Sequence, residues 1–65
     1  GFDAHRLDPL ANLQLEADDF AWITAELVAL ARTHARGRVV STLEGGYDLD
    51  GLVTSAVAHV RALAA

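Results

Sequence analysis

Val39-Val40-Ser41-Thr42-Leu43, followed by Glu44-Gly45-Gly46-Tyr47-Asp48, is the stretch that decides the fold of this 65-residue chain. The first five residues are mostly β-branched and barely alternate between apolar and polar, which is typical of a short strand buried on both faces. Two glycines then interrupt the pattern. The stretch therefore predicts a strand within Arg38 to Leu43, a glycine turn, and the start of a helix.

Helical patterns flank the predicted strand on both sides. The first runs from about Glu16 to Ala35, although Glu16 itself is a poor capping residue, and the second follows Asp48 or Asp50 and continues to the chain end. A buried strand between amphipathic helices needs neighbouring strands, so the order loop, helix, strand, helix predicts a piece of an α/β layered fold. The two apolar stripes consist of Phe20, Ile23, Leu27, Leu30, Ala31 and His34, and of Leu52, Val53, Ala56, Val57, Val60, Leu63 and Ala64.

Length and composition limit what the chain can be. A domain of 65 residues buries only roughly 60% of the surface that its unfolded chain exposes, so its core is expected to be marginal. The absence of cysteine excludes disulfides and thiolate zinc sites. Five arginines, no lysine and nine acids give a net charge of −4, which argues against direct nucleic-acid binding. No apolar run is long enough to span a membrane, and we expect a soluble, cytoplasmic protein in which Gly1 is an internal cut.

Asp3 and His5 form the first candidate site. In an extended segment these two side chains would point the same way and could share one cation. The alternative is a turn aspartate beside a solvated loop histidine, and Asp8-Pro9 is a turn signal that follows closely. Taken alone, the pair favours the alternative.

The second candidate site is Glu44 to Asp48, between the predicted strand and helix, where open α/β sheets usually bind ligands. A nucleotide-binding interpretation fails because G-x-G-x-x-G and the P-loop lysine are both absent. Tyr47 is equally well explained as a rim aromatic or as a functional residue. His34 and His59 are interpreted as structural.

Together, three segments say more than each does alone. Gly1-Phe2-Asp3-Ala4-His5, Asp8-Pro9-Leu10 and Leu43-Glu44-Gly45-Gly46-Tyr47, in this order and spacing, resemble the C-terminal part of a zinc-dependent deacetylase of the histone deacetylase family. The resemblance is closest to the branch with bacterial deacetylases and acetylpolyamine amidohydrolases. It implies a three-layer α/β/α domain of the arginase-deacetylase type, of which residues 1–65 would be an incomplete helix-strand-helix part.

The resemblance also implies roles for individual residues. Asp3 matches the third protein ligand of the family's zinc, whereas the other two come from an upstream Asp-x-His, so His5 is not carried over as a ligand. Tyr47 matches the tyrosine that donates a hydrogen bond to the substrate carbonyl. Leu10 matches an apolar residue of the acyl tunnel, and Gly45-Gly46 would lie against the substrate.

The expected function is therefore that of a zinc-dependent amidohydrolase acting on acetylated lysine side chains or polyamines. The paired catalytic histidines and the upstream zinc ligands are not in these 65 residues, so the chain alone is expected to be inactive and to associate with itself. The alternative is a non-catalytic helix-strand-helix interaction module that retains the family's shape. Abundant arginine and alanine without lysine point to a GC-rich bacterial gene.

Overall fold

The computed structural model describes residues 1–65 and contains three helical elements. A 3-10 turn spans Phe2–Ala4, helix α1 spans Ala17–His34 and helix α2 spans Leu49–Ala64. The two long helices pack against each other, and the 3-10 turn packs on α2. Neither helix combines the length and the apolar character that a membrane crossing requires.

The two helices run in the same direction. Thr24 in α1 contacts His59 in α2, and the Arg32 guanidinium near the end of α1 donates to the carbonyl oxygen of Ala65, just beyond α2, at 3.2 Å. Two parallel helices that follow each other in sequence need a connection that returns along their length. Residues 35–48 make that return, and no helix interrupts them.

The strand predicted within Arg38 to Leu43 does not form. Residues 38–44 have no regular secondary structure and are exposed, with Val40 at 96% exposure, so the predicted strand buried on both faces is not confirmed. A strand is defined by its hydrogen-bonded neighbour. The only bridge in the structure is an isolated parallel one between His5 and Leu15, and it leaves residues 38–44 without a partner.

Both helices begin as the sequence indicates, with one difference at α1. Glu16 precedes α1 without capping it through its own side chain, and Asp19 supplies the cap by accepting from the Glu16 N–H at 2.8 Å. This bond is one half of a capping box. At α2 the predicted Asp48 cap is confirmed, because its carboxylate accepts from the Gly51 N–H at 2.8 Å.

His59 in α2 contacts both Thr24 in α1 and Ser41, which lies in the middle of residues 38–44. The Thr24 hydroxyl donates to the Phe20 carbonyl at 2.7 Å, so it accepts from Nδ1–H of His59, also at 2.7 Å. In the neutral ring, Nε2 is then left to accept from the Ser41 hydroxyl at 2.7 Å. The Phe2 ring meets His59 edge-on, with centroids 5.8 Å apart. These contacts agree with the structural role predicted for His59.

The apolar core is as small as the chain length predicts. Ala31 is the only buried apolar residue, although Phe2 and Phe20 also pack edge to face, with centroids 5.2 Å apart. The predicted stripe on α2 is divided between two environments. Leu52, Ala56 and Leu63 are half-buried, whereas Val53, Val57 and Val60 are exposed.

Ser55, fully buried on α2, offers a test of this packing. Its hydroxyl is 0% exposed and has no hydrogen-bond partner. A buried polar group without a partner costs about 1–3 kcal/mol, and alanine also has the higher helix propensity. We therefore expect Ser55→Ala in the complete protein to raise its free energy of unfolding by about 1 kcal/mol in a denaturant titration. A loss of stability would show that the hydroxyl has a partner in solution.

Candidate functional site

The site is built from two loops that lie side by side. The first loop comprises residues 1–15, and the glycine loop comprises residues 44–48. The first loop is closed on itself by paired backbone hydrogen bonds, with the Arg6 N–H donating to Leu15 at 2.8 Å and the Leu15 N–H donating to Ala4 at 3.0 Å. It is joined to the glycine loop by the Phe2 N–H, which donates to the Gly45 carbonyl at 2.9 Å.

Asp3 occupies the space that a side chain at position 45 would need. A Cβ atom on Gly45 would lie 2.5 Å from Oδ1 of Asp3 and 2.8 Å from Oδ2, so residue 45 must be glycine while the carboxylate stays in place. The carboxylates of Asp8, Asp19 and Asp48 all accept backbone hydrogen bonds, but that of Asp3 accepts none and forms no ion pair. Its oxygen lone pairs are therefore available to an external ligand.

His5 is placed differently from both interpretations of the Asp-x-His pair. Phe2–Ala4 forms a 3-10 turn, so the extended geometry in which Asp3 and His5 would share a cation is not found. His5 is also not solvated, since it is only 4% exposed. Its Nδ1 accepts from the Leu7 N–H at 3.1 Å, and a Cβ on Gly51 would lie only 3.1 Å from the same atom. His5 thus supports the loop against α2.

Asp8 is the polar centre of the two loops. Its Oδ1 accepts from the N–H groups of Leu10 at 2.8 Å and Ala11 at 3.2 Å, while Oδ2 accepts from the Tyr47 N–H at 2.8 Å. Desolvation by burial would raise the pKa of this carboxyl, but the backbone N–H groups that face it, above all those of Tyr47, Leu10 and Ala11, outweigh that effect and lower the pKa from its ordinary value of 3.8. The ionised form is thus favoured in the folded state. Its contribution to stability is fully present above pH 3.8 and is lost as the pH falls through the lowered value.

The backbones of Tyr47 and Leu10 are held by hydrogen bonds, whereas their side chains are exposed to solvent. Each donates its backbone N–H to the Asp8 carboxylate at 2.8 Å, yet Tyr47 is 61% exposed and Leu10 is 69% exposed. Gly46, before Tyr47, has a φ of +143°, and a Cβ there would lie 3.1 Å from Cδ1 of Leu52. The turn that presents Tyr47 therefore requires glycine at this position.

All residues predicted for the site lie on these two joined loops. They are Asp3, Leu10, Gly45, Gly46 and Tyr47. Sequence reasoning missed Asp8, which was interpreted only as part of a turn signal. An aspartate that precedes free N–H groups by two and three residues is typical of an Asx turn, and this signal predicts the contacts to Leu10 and Ala11. It does not predict the contact to Tyr47, which is 39 residues away.

The predicted zinc site is not complete within these residues. No group of three or more histidine, cysteine, aspartate or glutamate side chains is arranged to hold a metal ion. The unpartnered carboxylate of Asp3 fits one ligand position of a catalytic zinc, which usually has three protein ligands. Two further ligands would have to come from outside residues 1–65.

Comparison with known proteins identifies what these loops belong to. The family model described as the histone deacetylase domain matches residues 1–63. The chain is 44% identical to histone deacetylase 14, chloroplastic, of Arabidopsis thaliana over 63 residues, covering 97% of the chain and 15% of that protein. It is 44% identical to type-2 histone deacetylase 1 of Dictyostelium discoideum over 63 residues, which covers 97% of the chain and 4% of the relative. It is 51% identical to a histone deacetylase-like amidohydrolase of Pseudomonas aeruginosa over 48 residues, which covers 74% of the chain and 13% of the relative.

Proposed function

Because the chain belongs to the histone deacetylase family, we propose that it forms part of a zinc-dependent amidohydrolase that removes acetyl or related acyl groups from lysine side chains or polyamines. The chain spans less than a fifth of these relatives, so its own residues account for only part of such an enzyme. The observation that carries the proposal is the joining of the Asp3 loop to the Tyr47 loop through Gly45 and Asp8.

In this proposal the two loops provide complementary chemistry. Asp3 would hold the metal with a carboxylate that forms no ion pair within the chain. A zinc ion bound there would supply a Lewis acid for the acyl carbonyl and for a water molecule. Tyr47 donates a hydrogen bond to the substrate carbonyl oxygen as negative charge develops on it, and a phenol does this at pH 7 without competing for the metal. Leu10, Gly45 and Gly46 border the acyl chain.

We propose that the complete domain is the three-layer α/β/α type with residues 38–43 as one strand of its sheet. Two features support this. The parallel helices with an extended return between them have the order expected where a strand connects helices of an α/β domain. In addition, apolar side chains including Phe20, Leu27 and Leu43 line an open groove beside the unpaired segment, where neighbouring strands would pack.

The setting that we propose is a bacterial cytoplasm. The identity of 51% to the Pseudomonas aeruginosa relative and the lysine-free composition support the bacterial part. Two relatives, from Arabidopsis thaliana and Oryza sativa subsp. japonica, are named as chloroplastic.

The experiment that tests the proposed function is an assay of acetate release. The complete protein, loaded with zinc, is incubated with an acetyl-lysine peptide and, separately, with an N-acetylated polyamine. We expect turnover of at least one substrate, its loss after chelation, and its return when zinc is added. A zinc-loaded protein that releases acetate from neither would favour the non-catalytic interaction module.

The isolated 65-residue chain should behave differently from the complete protein. Residues 38–44 expose backbone N–H and C=O groups next to apolar side chains, and such unpaired segments readily pair with another chain. We expect self-association in sedimentation velocity, no hydrolysis of acetyl-lysine, and only weak, chelator-sensitive zinc binding. A well-folded monomer, or zinc-dependent turnover, would contradict this prediction.

A further inference from the structure

Asp8 is the one buried carboxylate that links the two loops. It is 6% exposed, and its two oxygens accept three backbone N–H groups within 3.2 Å. Two of these donors, Leu10 and Ala11, belong to its own loop, whereas the third, Tyr47, belongs to the other. Phe2 adds a second link, but through backbone atoms only. Asp8 is thus the side chain that joins the backbones of Leu10 and Tyr47.

The number of acceptor atoms explains why this residue is a carboxylate. An ionised aspartate has two acceptor oxygens, while asparagine has one acceptor oxygen and one NH₂ group that only donates. With asparagine at position 8, the side-chain oxygen would still accept a hydrogen bond, but the NH₂ group would face a backbone N–H, and two donors cannot form a hydrogen bond with each other. The asparagine oxygen would stay with the two N–H groups of the turn, those of Leu10 and Ala11, because the opposite orientation loses two bonds instead of one. The contact to the Tyr47 N–H would then be lost.

We propose that Asp8 is a positioning residue that fixes the Tyr47 backbone relative to Leu10, and thereby sets where the Tyr47 hydroxyl meets the substrate carbonyl. This inference rests on the proposed function, because it assumes that Tyr47 is the donor. Gly46 gives its own reason for external support. Gly46 has a φ of +143°, which glycine adopts readily and other residues rarely do, and its backbone is therefore less restricted than that of its neighbours. Tyr47 follows Gly46 directly, so the hydrogen bond from the Tyr47 N–H to Asp8 limits the backbone motion of this turn.

A double-mutant cycle distinguishes positioning from general stabilisation. The complete protein is prepared as wild type, Asp8→Asn, Tyr47→Phe and the double variant, and kcat, KM and zinc content are measured with an acetyl-lysine peptide. We expect Asp8→Asn to lower kcat by about 10–100-fold, the scale of a small misplacement of a reacting group, with zinc retained and KM changed less than kcat. The double variant should match Tyr47→Phe within about twofold, since Asp8 acts through the hydroxyl that is already absent. Losses that multiply would overturn the proposal, as would full activity of Asp8→Asn.

Two further variants separate the roles of the carboxylate. Asp8→Ser retains a hydroxyl that can accept from the N–H groups of the local turn but is too short to reach the Tyr47 N–H. It should therefore lower kcat as Asp8→Asn does. This variant replaces Asp8→Asn in the experiment if Asp8→Asn does not fold. Asp19→Asn is the matched control, because Asp19 caps α1 and contacts neither loop; it should leave kcat unchanged. If Asp8→Ser keeps wild-type kcat, Asp8 does not position Tyr47.

One readout is independent of turnover. The Tyr47 amide proton, observed by NMR in the labelled protein, should shift upfield in Asp8→Asn and Asp8→Ser as its bond to the carboxylate is lost, and should not shift in Asp19→Asn. A wild-type protein that releases no acetate would refute the proposed function, and the Tyr47 amide would still decide whether Asp8 holds this loop. An unmoved Tyr47 amide would overturn the inference.

Discussion

Replacing Asp3 by alanine is expected to reduce the zinc content of the complete protein from about one equivalent to nearly none, and with it the hydrolysis of acetyl-lysine. A catalytic zinc has three protein ligands and an open position, so the loss of one ligand leaves too few to retain the metal through purification. The structure supports Asp3 in this role because its carboxylate lies against Gly45 without a hydrogen bond from the chain. Metal analysis by mass spectrometry measures the effect.

Two variants give this experiment its controls. Asp18→Ala removes an exposed carboxylate from the first turn of α1 and should keep full zinc content. Gly45→Ala leaves Asp3 in the sequence but places a Cβ 2.5 Å from its Oδ1, so it should also lower zinc content. Wild-type zinc stoichiometry in Asp3→Ala would reject Asp3 as a ligand.

Replacing Tyr47 by phenylalanine is expected to lower kcat by about 10²–10³ while zinc content and thermal stability stay close to wild type. The loss of one donor to a developing oxyanion costs about 2.7–4 kcal/mol of transition-state stabilisation. Folding should be nearly unaffected, because Tyr47 is 61% exposed and its contact to Asp8 is made by the backbone N–H, which phenylalanine retains.

Steady-state kinetics and zinc analysis of the same preparation separate the possible outcomes for Tyr47→Phe. A fall in kcat with zinc retained supports the donor role. A fully active Tyr47→Phe enzyme would make Tyr47 a rim aromatic, the alternative that the sequence leaves open. A loss of zinc in this variant would indicate that Tyr47 takes part in metal binding. We do not expect this result, because the tyrosine phenol is neutral at pH 7.

The helices could be predicted because the information for them is local. The apolar spacing of α1 and α2 and the cap at Asp48 depend on residues within one or two turns, and the predicted bounds agree with Ala17–His34 and Leu49–Ala64 to within about two residues. The strand could not be verified in the same way. Its β-branched sequence specifies an extended conformation, but a strand also requires a neighbour, and residues 1–65 provide none.

The site shows the same division between local and long-range information. Resemblance to a family placed Asp3 and Tyr47, and the structure brings their loops together. What sequence alone could not indicate is how the loops are joined. The contact from Asp8 to Tyr47 and the packing of His5 against Gly51 connect residues 39 and 46 positions apart, so no short pattern contains them.

An experimental structure of the complete, zinc-loaded protein with an uncleavable acyl-lysine analogue tests the roles of Asp3 and Tyr47 most directly. We expect an Asp3 carboxylate oxygen at about 2.0–2.2 Å from the zinc and the Tyr47 hydroxyl within about 2.5–3.0 Å of the analogue's carbonyl oxygen. A zinc ion held without Asp3, or a carbonyl oxygen beyond the reach of Tyr47, would contradict these roles.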